Sequence, residues 1–226
     1  LLGLPISASQ AVVGGIVGVN LLQGDVSLAG VGTIVVCWVA TPAGALLIGA
    51  MLYVILGVLF NALRPTMFQA DAGLRIGLLL VTAYGAYVLG ANNVANVVGV
   101  FVGAGYLGPM QAALLGGGCM ALGVLTCQRQ VVETVGSRLV PLNSYSAFVV
   151  ALATGMTVHV FTRLGVPVST TQAVVGAVLG VGLARGMRTV QVRTLGQIAL
   201  GWVFTPLMGA AFVLLIHVLM HVRYVP

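Results

Sequence analysis

LGLPISASQAVVGGIVGVNLL, residues Leu2–Leu22, aligns without gaps on LGVPVSTTQAVVGAVLGVGLA, residues Leu164–Ala184, and twelve of the 21 positions are identical. After a two-residue shift, Trp38, Val39, Thr41 and Pro42 match Trp202, Val203, Thr205 and Pro206. Two such matches in the same order identify two related units about 163 residues apart. The second unit has some ninety residues ahead of its motif and the first has almost none, so roughly 90 further residues are expected before the first motif. The chain opens inside an apolar motif, without an initiator Met.

Sixty per cent of the residues are apolar, 5% are charged, and the mean hydropathy is +1.15. A water-soluble domain of this size needs roughly a quarter of its residues charged. The surface must therefore face lipid, with irregular backbone at depth only where protein or a cavity shelters it. The nine basic residues are all Arg and the net charge is +6, but no basic stripe alternates with aromatics, which argues against nucleic acid. Cys37, Cys119 and Cys127 have no metal-ligand spacing and read as inert buried thiols.

A membrane-spanning helix needs about 20 apolar residues. Leu28–Leu63 supplies one long or broken span, kinked at Pro42; Ile76–Gly105 supplies another, interrupted by GANNVAN, with Gly90 as the place for a break. Met110–Cys127 and Leu195–Val222 read as uninterrupted spans. Tyr145–Ala184 holds Gly165 and Pro167 at its middle, and a re-entrant hairpin of short half-helices suits it better than two full spans. Its flanks carry Arg129 and Arg138 on one side and Arg185, Arg188 and Arg193 on the other, so both read as cytoplasmic. The counterpart in the first unit, residues 20–30, has no basic residue and contains Asp25, so it faces outward. The expected fold is an all-α polytopic membrane protein of inverted-topology repeats with re-entrant half-helix hairpins and discontinuous helices. Residues 1–63 form the C-terminal part of the first repeat, 64–75 a cytoplasmic connection and 76–226 the second repeat. The expected location is the plasma (inner) membrane, with lipid as its surroundings; the oligomeric state is open, a homodimer included.

Three polar clusters interrupt the apolar background: residues 5–10 (PISASQ), 90–96 (GANNVAN) and 167–172 (PVSTTQ). In the first and third, Pro precedes small hydroxyl residues and then an apolar helical run, the order of a helix N-terminus. Unpaired N–H groups, the positive dipole end and the hydroxyls together make a nest for an anion. The plainer reading, Ser and Thr that merely cap or pack, is weakened by the recurrence of Pro and Gln in both motifs. Asn92 and Asn96 share a helical face and need partners at bilayer depth; their carbonyls can ligate a small cation and their amides can donate to an anion. Interhelical hydrogen bonding is the alternative.

GANNVAN, GVPVSTTQA and the repeat together resemble the inorganic phosphate transporter (PiT) family and its sulfate-permease relatives. The resemblance covers essentially the whole chain. It implies a symporter that takes up phosphate, or sulfate, with a coupling cation. By motif position, the implied oxyanion-binding residues are Ser7, Ser9, Asn92, Asn93, Ser169, Thr170 and Thr171. Asn96, Gln10, Gln172, His159 and Arg163 are candidates for coupling or support. No resident cofactor is expected; bound Na+ is implied near Asn93 and Asn96. Three positions depart from the family pattern: Asn93 replaces a signature Asp, Gln10 and Gln172 replace His, and Ala8 replaces a hydroxyl residue.

Protonated phosphate benefits from a carboxylate acceptor, and sulfate has no proton to give. The visible motifs lack a carboxylate, which favours sulfate; the family's habit favours phosphate, and the reading leans that way. Na+ and H+ are both open as the coupling ion. His159 is either a proton carrier or a packed, hydrogen-bonded residue. Arg163 either lends charge to the site or snorkels to water. Glu133 reads as a loop charge, and His217 and His221 as outer-interface residues without a role. An anion channel is the competing class, although most Arg lies in loops rather than in pore rings. No paired carboxylates, His-x-x-Glu or Cys–His spacing suggests an enzyme.

Overall fold

The computed structural model describes residues 7–126, 142–186 and 192–223. Pro5, Cys127, Arg129, Glu133, Arg138, Arg188 and the side chain of His221 lie outside the described residues. Every regular element described is helical. With apolar side chains outside and no water to serve the backbone, only internal i→i−4 hydrogen bonds satisfy its polar groups. In order these are α1 (Ala8–Gln23), α2 (Leu28–Leu63), α3 (Met67–Leu89), a π-helical turn (Gly90–Val94), α4 (Ala95–Gly103), α5 (Pro109–Leu125), α6 (Ser144–Arg163), α7 (Thr170–Ala184) and α8 (Val192–Arg223).

Local chemistry sets the ends. α1 stops at Gly24, whose φ of 72° lets its N–H reach back to Asn20 and Leu21 carbonyls. Ser27 and Asn143 cap α2 and α6 through their side chains. Thr66 and Gln69 close a reciprocal capping box at α3, after Arg64 and Pro65 end α2. Helix thus resumes at Met67, and residues 67–75 of the expected connection are already wound into α3.

Among the described residues, four helical stretches are long and apolar enough to cross a membrane: Ala29–Leu63, Met67–Gly103, Ser144–Arg163 and Arg193–Met220. α2 is one continuous helix through Pro42, and Thr41 returns its hydroxyl to the Cys37 carbonyl one turn back. Thr205, beside Pro206 in α8, bonds Gly201 in the same way. The expected break at Gly90 does not occur. The chain instead widens by a π turn and runs on, because an added residue can be absorbed as i→i+5 winding without losing the backbone ladder. α5, expected as a full span, is 17 residues, about 25 Å, short of a ~30 Å hydrocarbon core. The arms of the predicted hairpin are unequal: α6 has 20 residues, about 30 Å, and α7 has 15, about 22 Å. Cys37 is half-buried and Cys119 is exposed, so Cys119 is not the buried thiol expected.

The core lies where α7 is enclosed by α2 and α6, with Ala45, Val149, Ala153, Ala173, Ala177 and Val178 wholly inaccessible. The units exchange partners: α1, carrying the first motif, packs on α8, and α7, carrying the second, packs on α2. Glycine makes this possible. A Cβ on Gly176 would lie 2.2 Å from the Pro42 carbonyl oxygen, and one on Gly14 would lie 2.1 Å from that of Pro206. Gly14 and Gly176 are equivalent in the repeat, and so are Pro42 and Pro206. One turn on, Gly180 meets Leu46 and Gly18 meets Ala210, again equivalent pairs. Small residues four apart let helix backbones touch, the usual basis of close association in lipid.

Candidate functional site

Both repeated motifs open a helix as the sequence predicts. Ser7 and Ser169 are extended-backbone caps, 2% and 1% exposed, and their hydroxyls accept from the N–H groups of Gln10 and Gln172 at 3.2 Å. Pro167 precedes the cap instead of entering the first turn. Each hydroxyl keeps its proton for donation. Ser169 also shares a hydrogen bond of 2.8 Å with Thr171. An α-helix has no acceptor of its own for its first N–H groups, which here belong to Ala8 and Ser9 in α1 and to Thr170 and Thr171 in α7.

The π turn joins the two motifs. Asn92, 3% exposed, donates to the Val168 carbonyl at 3.0 Å and to Asn93 Oδ1 at 2.8 Å. Thr170 donates to Asn93 Oδ1 at 3.4 Å, a long and weak bond. Asn96, one turn further, donates to Ser9 Oγ at 3.1 Å. Residues 92, 93 and 96 thus bond the start of α7 on one side and the start of α1 on the other. Of the seven sequence-predicted oxyanion residues, Asn92, Asn93 and Thr170 are bonded to one another, Ser169 is bonded to Thr171, Ser9 is bonded to Asn96, and Ser7 bonds only within its own motif. Both plain readings also hold locally: the serines do cap, and the asparagines do bond between helices.

Neutral oxygens of Ser9, Asn93 and Asn96 in this neighbourhood are chemically suited to a hard monovalent cation. Among the described residues no cluster of three His, Cys, Asp or Glu is present. Asp71 is bound to Arg75 at 2.9 Å on the exposed start of α3, away from this cluster. The described part of the site is therefore built from hydroxyls, amides and helix starts.

Gln10 and Gln172 are 1% and 3% exposed, yet the carbonyl oxygen of each lacks a partner among the described residues. Their S-x-x-Q pattern permits a capping box like that of Thr66 and Gln69, but here only the serine half is made. His159 bonds Tyr84 through Nδ1 at 2.9 Å and packs beside Tyr87, which ties α6 to α3. Arg163 is exposed on the last turn of α6, where it complements the helix dipole; it has no hydrogen bond to the cluster. Sequence reasoning missed the Val168 carbonyl and the π turn. A backbone acceptor has no sequence signature, and only the unusual density of Asn marked the turn.

The sequence profile of the phosphate transporter family matches residues 63–213. A Methanocaldococcus jannaschii protein named as a phosphate permease is 31% identical over 206 residues, 91% of this chain and 65% of its own. A Rhizobium meliloti protein named as a low-affinity inorganic phosphate transporter is 31% identical over 218 residues, 90% of this chain and 64% of its own. A solved structure described as the sodium-dependent phosphate transporter is 26% identical, with a TM-score of 0.58 over 94% of this chain and 64% of that one. The chain thus spans about two thirds of the length of these relatives. Its relatives are transporters, and the chain is an integral protein of the plasma membrane. It belongs to the phosphate transporter family.

Proposed function

We propose that the protein is a secondary active transporter that carries inorganic phosphate across the membrane together with Na+. The observation that carries this reading is the meeting of three polar clusters inside an apolar chain, through Asn96–Ser9, Asn92–Val168 and Thr170–Asn93. Donors concentrated at two capped helix starts match a tetrahedral oxyanion, whose charge the helix dipoles and hydroxyls offset. Ser7, Ser9, Asn92, Asn93, Ser169, Thr170 and Thr171 bind the anion in this reading. Na+ sits on the oxygens of Asn93 and Asn96, and the sodium dependence named for the structural relative supports it over H+. Sulfate is the second reading, favoured by the lack of a carboxylate in the described cluster.

The two units are related in this reading by an axis in the membrane plane, and each motif enters as a re-entrant hairpin. The rungs Gly176–Pro42 and Gly180–Leu46 advance together, so α7 runs parallel to α2. In this reading the short connection between α1 and α2, residues 24–27, turns the chain back into the membrane. α7 then runs opposite to its equivalent α1, as inversion requires.

Uptake of labelled phosphate by the full-length protein in proteoliposomes tests the function. Saturable accumulation under an inward Na+ gradient, lost with choline, is the expected result. Accumulation driven only by a proton gradient would overturn Na+ coupling. Sulfate uptake that phosphate does not compete with would overturn the substrate, and electrodiffusive flux without any coupling ion would make the protein a channel.

A further inference from the structure

Six buried side-chain atoms among the described residues lack a hydrogen-bond partner, and four are Gln10 Oε1, Gln172 Oε1, Trp38 Nε1 and Trp202 Nε1. Two are acceptors and two are donors. Within each kind, the two positions are equivalent in the repeat. Buried orphans are uncommon in folded proteins, so a matched set at equivalent positions calls for a physical reason.

Helix register brings the complements together. On the seam of α2 and α7, Pro42 meets Gly176 and Leu46 meets Gly180, one helical turn apart on both helices. The next turn toward the N-termini puts Trp38 opposite Gln172, since residues four apart share a helix face. On the seam of α1 and α8, Gly14 meets Pro206 and Gly18 meets Ala210. The same step puts Gln10 opposite Trp202. Each seam therefore carries one indole N–H and one amide carbonyl at the same level, both shielded from solvent and neither paired.

We infer that Trp38–Gln172 and Trp202–Gln10 are two equivalent donor–acceptor couples, open in this conformation and closed by a small shift along each seam. The chemistry of each is an indole N–H donating to a side-chain amide carbonyl. Each Gln has its backbone N–H held by the capping Ser of its motif. Closing a couple therefore fixes the start of a motif helix in one unit against the long helix of the other. The four side chains act as positioning residues: they orient the helix starts and leave the anion to the hydroxyls and asparagines. Only the uptake readout of this inference rests on the transport reading above.

The test uses the full-length protein with Trp38→Phe, Gln172→Met, Trp202→Phe and Gln10→Met, singly and in pairs. For phosphate uptake, each single variant lowers the maximal rate by about threefold or more with KM little changed. The in-register doubles, 38 with 172 and 202 with 10, are no slower than the worse single. The crossed doubles, 38 with 10 and 202 with 172, multiply. In-register doubles that multiply like the crossed ones overturn the couples. A second measurement needs no transport: hydrogen exchange of the indole N–H groups, followed by NMR and assigned by the Phe variants. Gln172→Met speeds exchange at Trp38 alone and Gln10→Met at Trp202 alone. Equal or absent effects overturn the inference even where a double variant fails to fold. Loss of all phosphate uptake by the unaltered protein, with the exchange pattern intact, overturns the transport reading instead.

Discussion

Ser169 serves two purposes at once, since its oxygen caps α7 through Gln172 and its hydroxyl group also bonds Thr171. Ser169→Ala is expected to weaken phosphate binding about fivefold to tenfold, roughly 1 kcal/mol, with a similar loss of helix stability. Thr171→Ala should weaken binding with little effect on stability, since Thr171 is not the cap. Calorimetric titration of the purified variants with phosphate checks both, and unchanged affinity in both would remove these hydroxyls from the site. Asn93 accepts from Asn92 and Thr170 through the same oxygen. Asn93→Asp adds a charge where the proposed Na+ sits, so the Na+ concentration for half-maximal uptake should fall, and uptake should depend more steeply on Na+. A rate indifferent to Na+ in that variant would mark the position as structural.

The helices are held by close approach of their backbones. Gly176→Ala places a methyl group 2.2 Å from the Pro42 oxygen, a contact that only separation of α2 and α7 can relieve. Such overpacking costs about 1–3 kcal/mol or more, because well-packed seams do not yield locally. A Cβ at Gly44, also in α2, meets nothing within 4 Å, so Gly44→Ala should be neutral or slightly stabilising. Thermal unfolding in detergent separates the two; equal midpoints would contradict the tight seam. The π turn belongs to this scale as well. The sequence marked residues 90–96 as an interruption, and the expected break at Gly90 became a widened turn because continued winding keeps the backbone bonded to itself in lipid.

For the whole molecule, the reading of two opposed units makes a sided prediction. The turn holding Asp25 lies outside and the segment after α7, at Gly186, lies inside, as the Arg distribution suggests. In a background with Cys37, Cys119 and Cys127 replaced, Asp25→Cys should react with an impermeant thiol reagent in intact cells. Gly186→Cys should react only after the membrane is opened. Labelling of both from one side would place the two units in the same orientation. Exposed apolar residues such as Val39, Leu79 and Leu114 cover the described surface, as a lipid-facing chain requires.

Composition, hydropathy and capping chemistry determined on their own that this chain is helical and membrane-embedded, and that its two matching polar motifs start helices. These are local or summed properties: a backbone in lipid must bond itself, and a Ser ahead of an apolar run caps that run wherever it lies. The choice of partner was a different matter. That α1 packs on α8 and α7 on α2, that Asn96 finds Ser9 while Asn92 finds Val168, and that His159 bonds Tyr84 were decided by the tertiary structure. Those bonds link residues 75 to 87 positions apart, and their pairing follows from how the helices lie against one another, a relation that exists only once they are side by side.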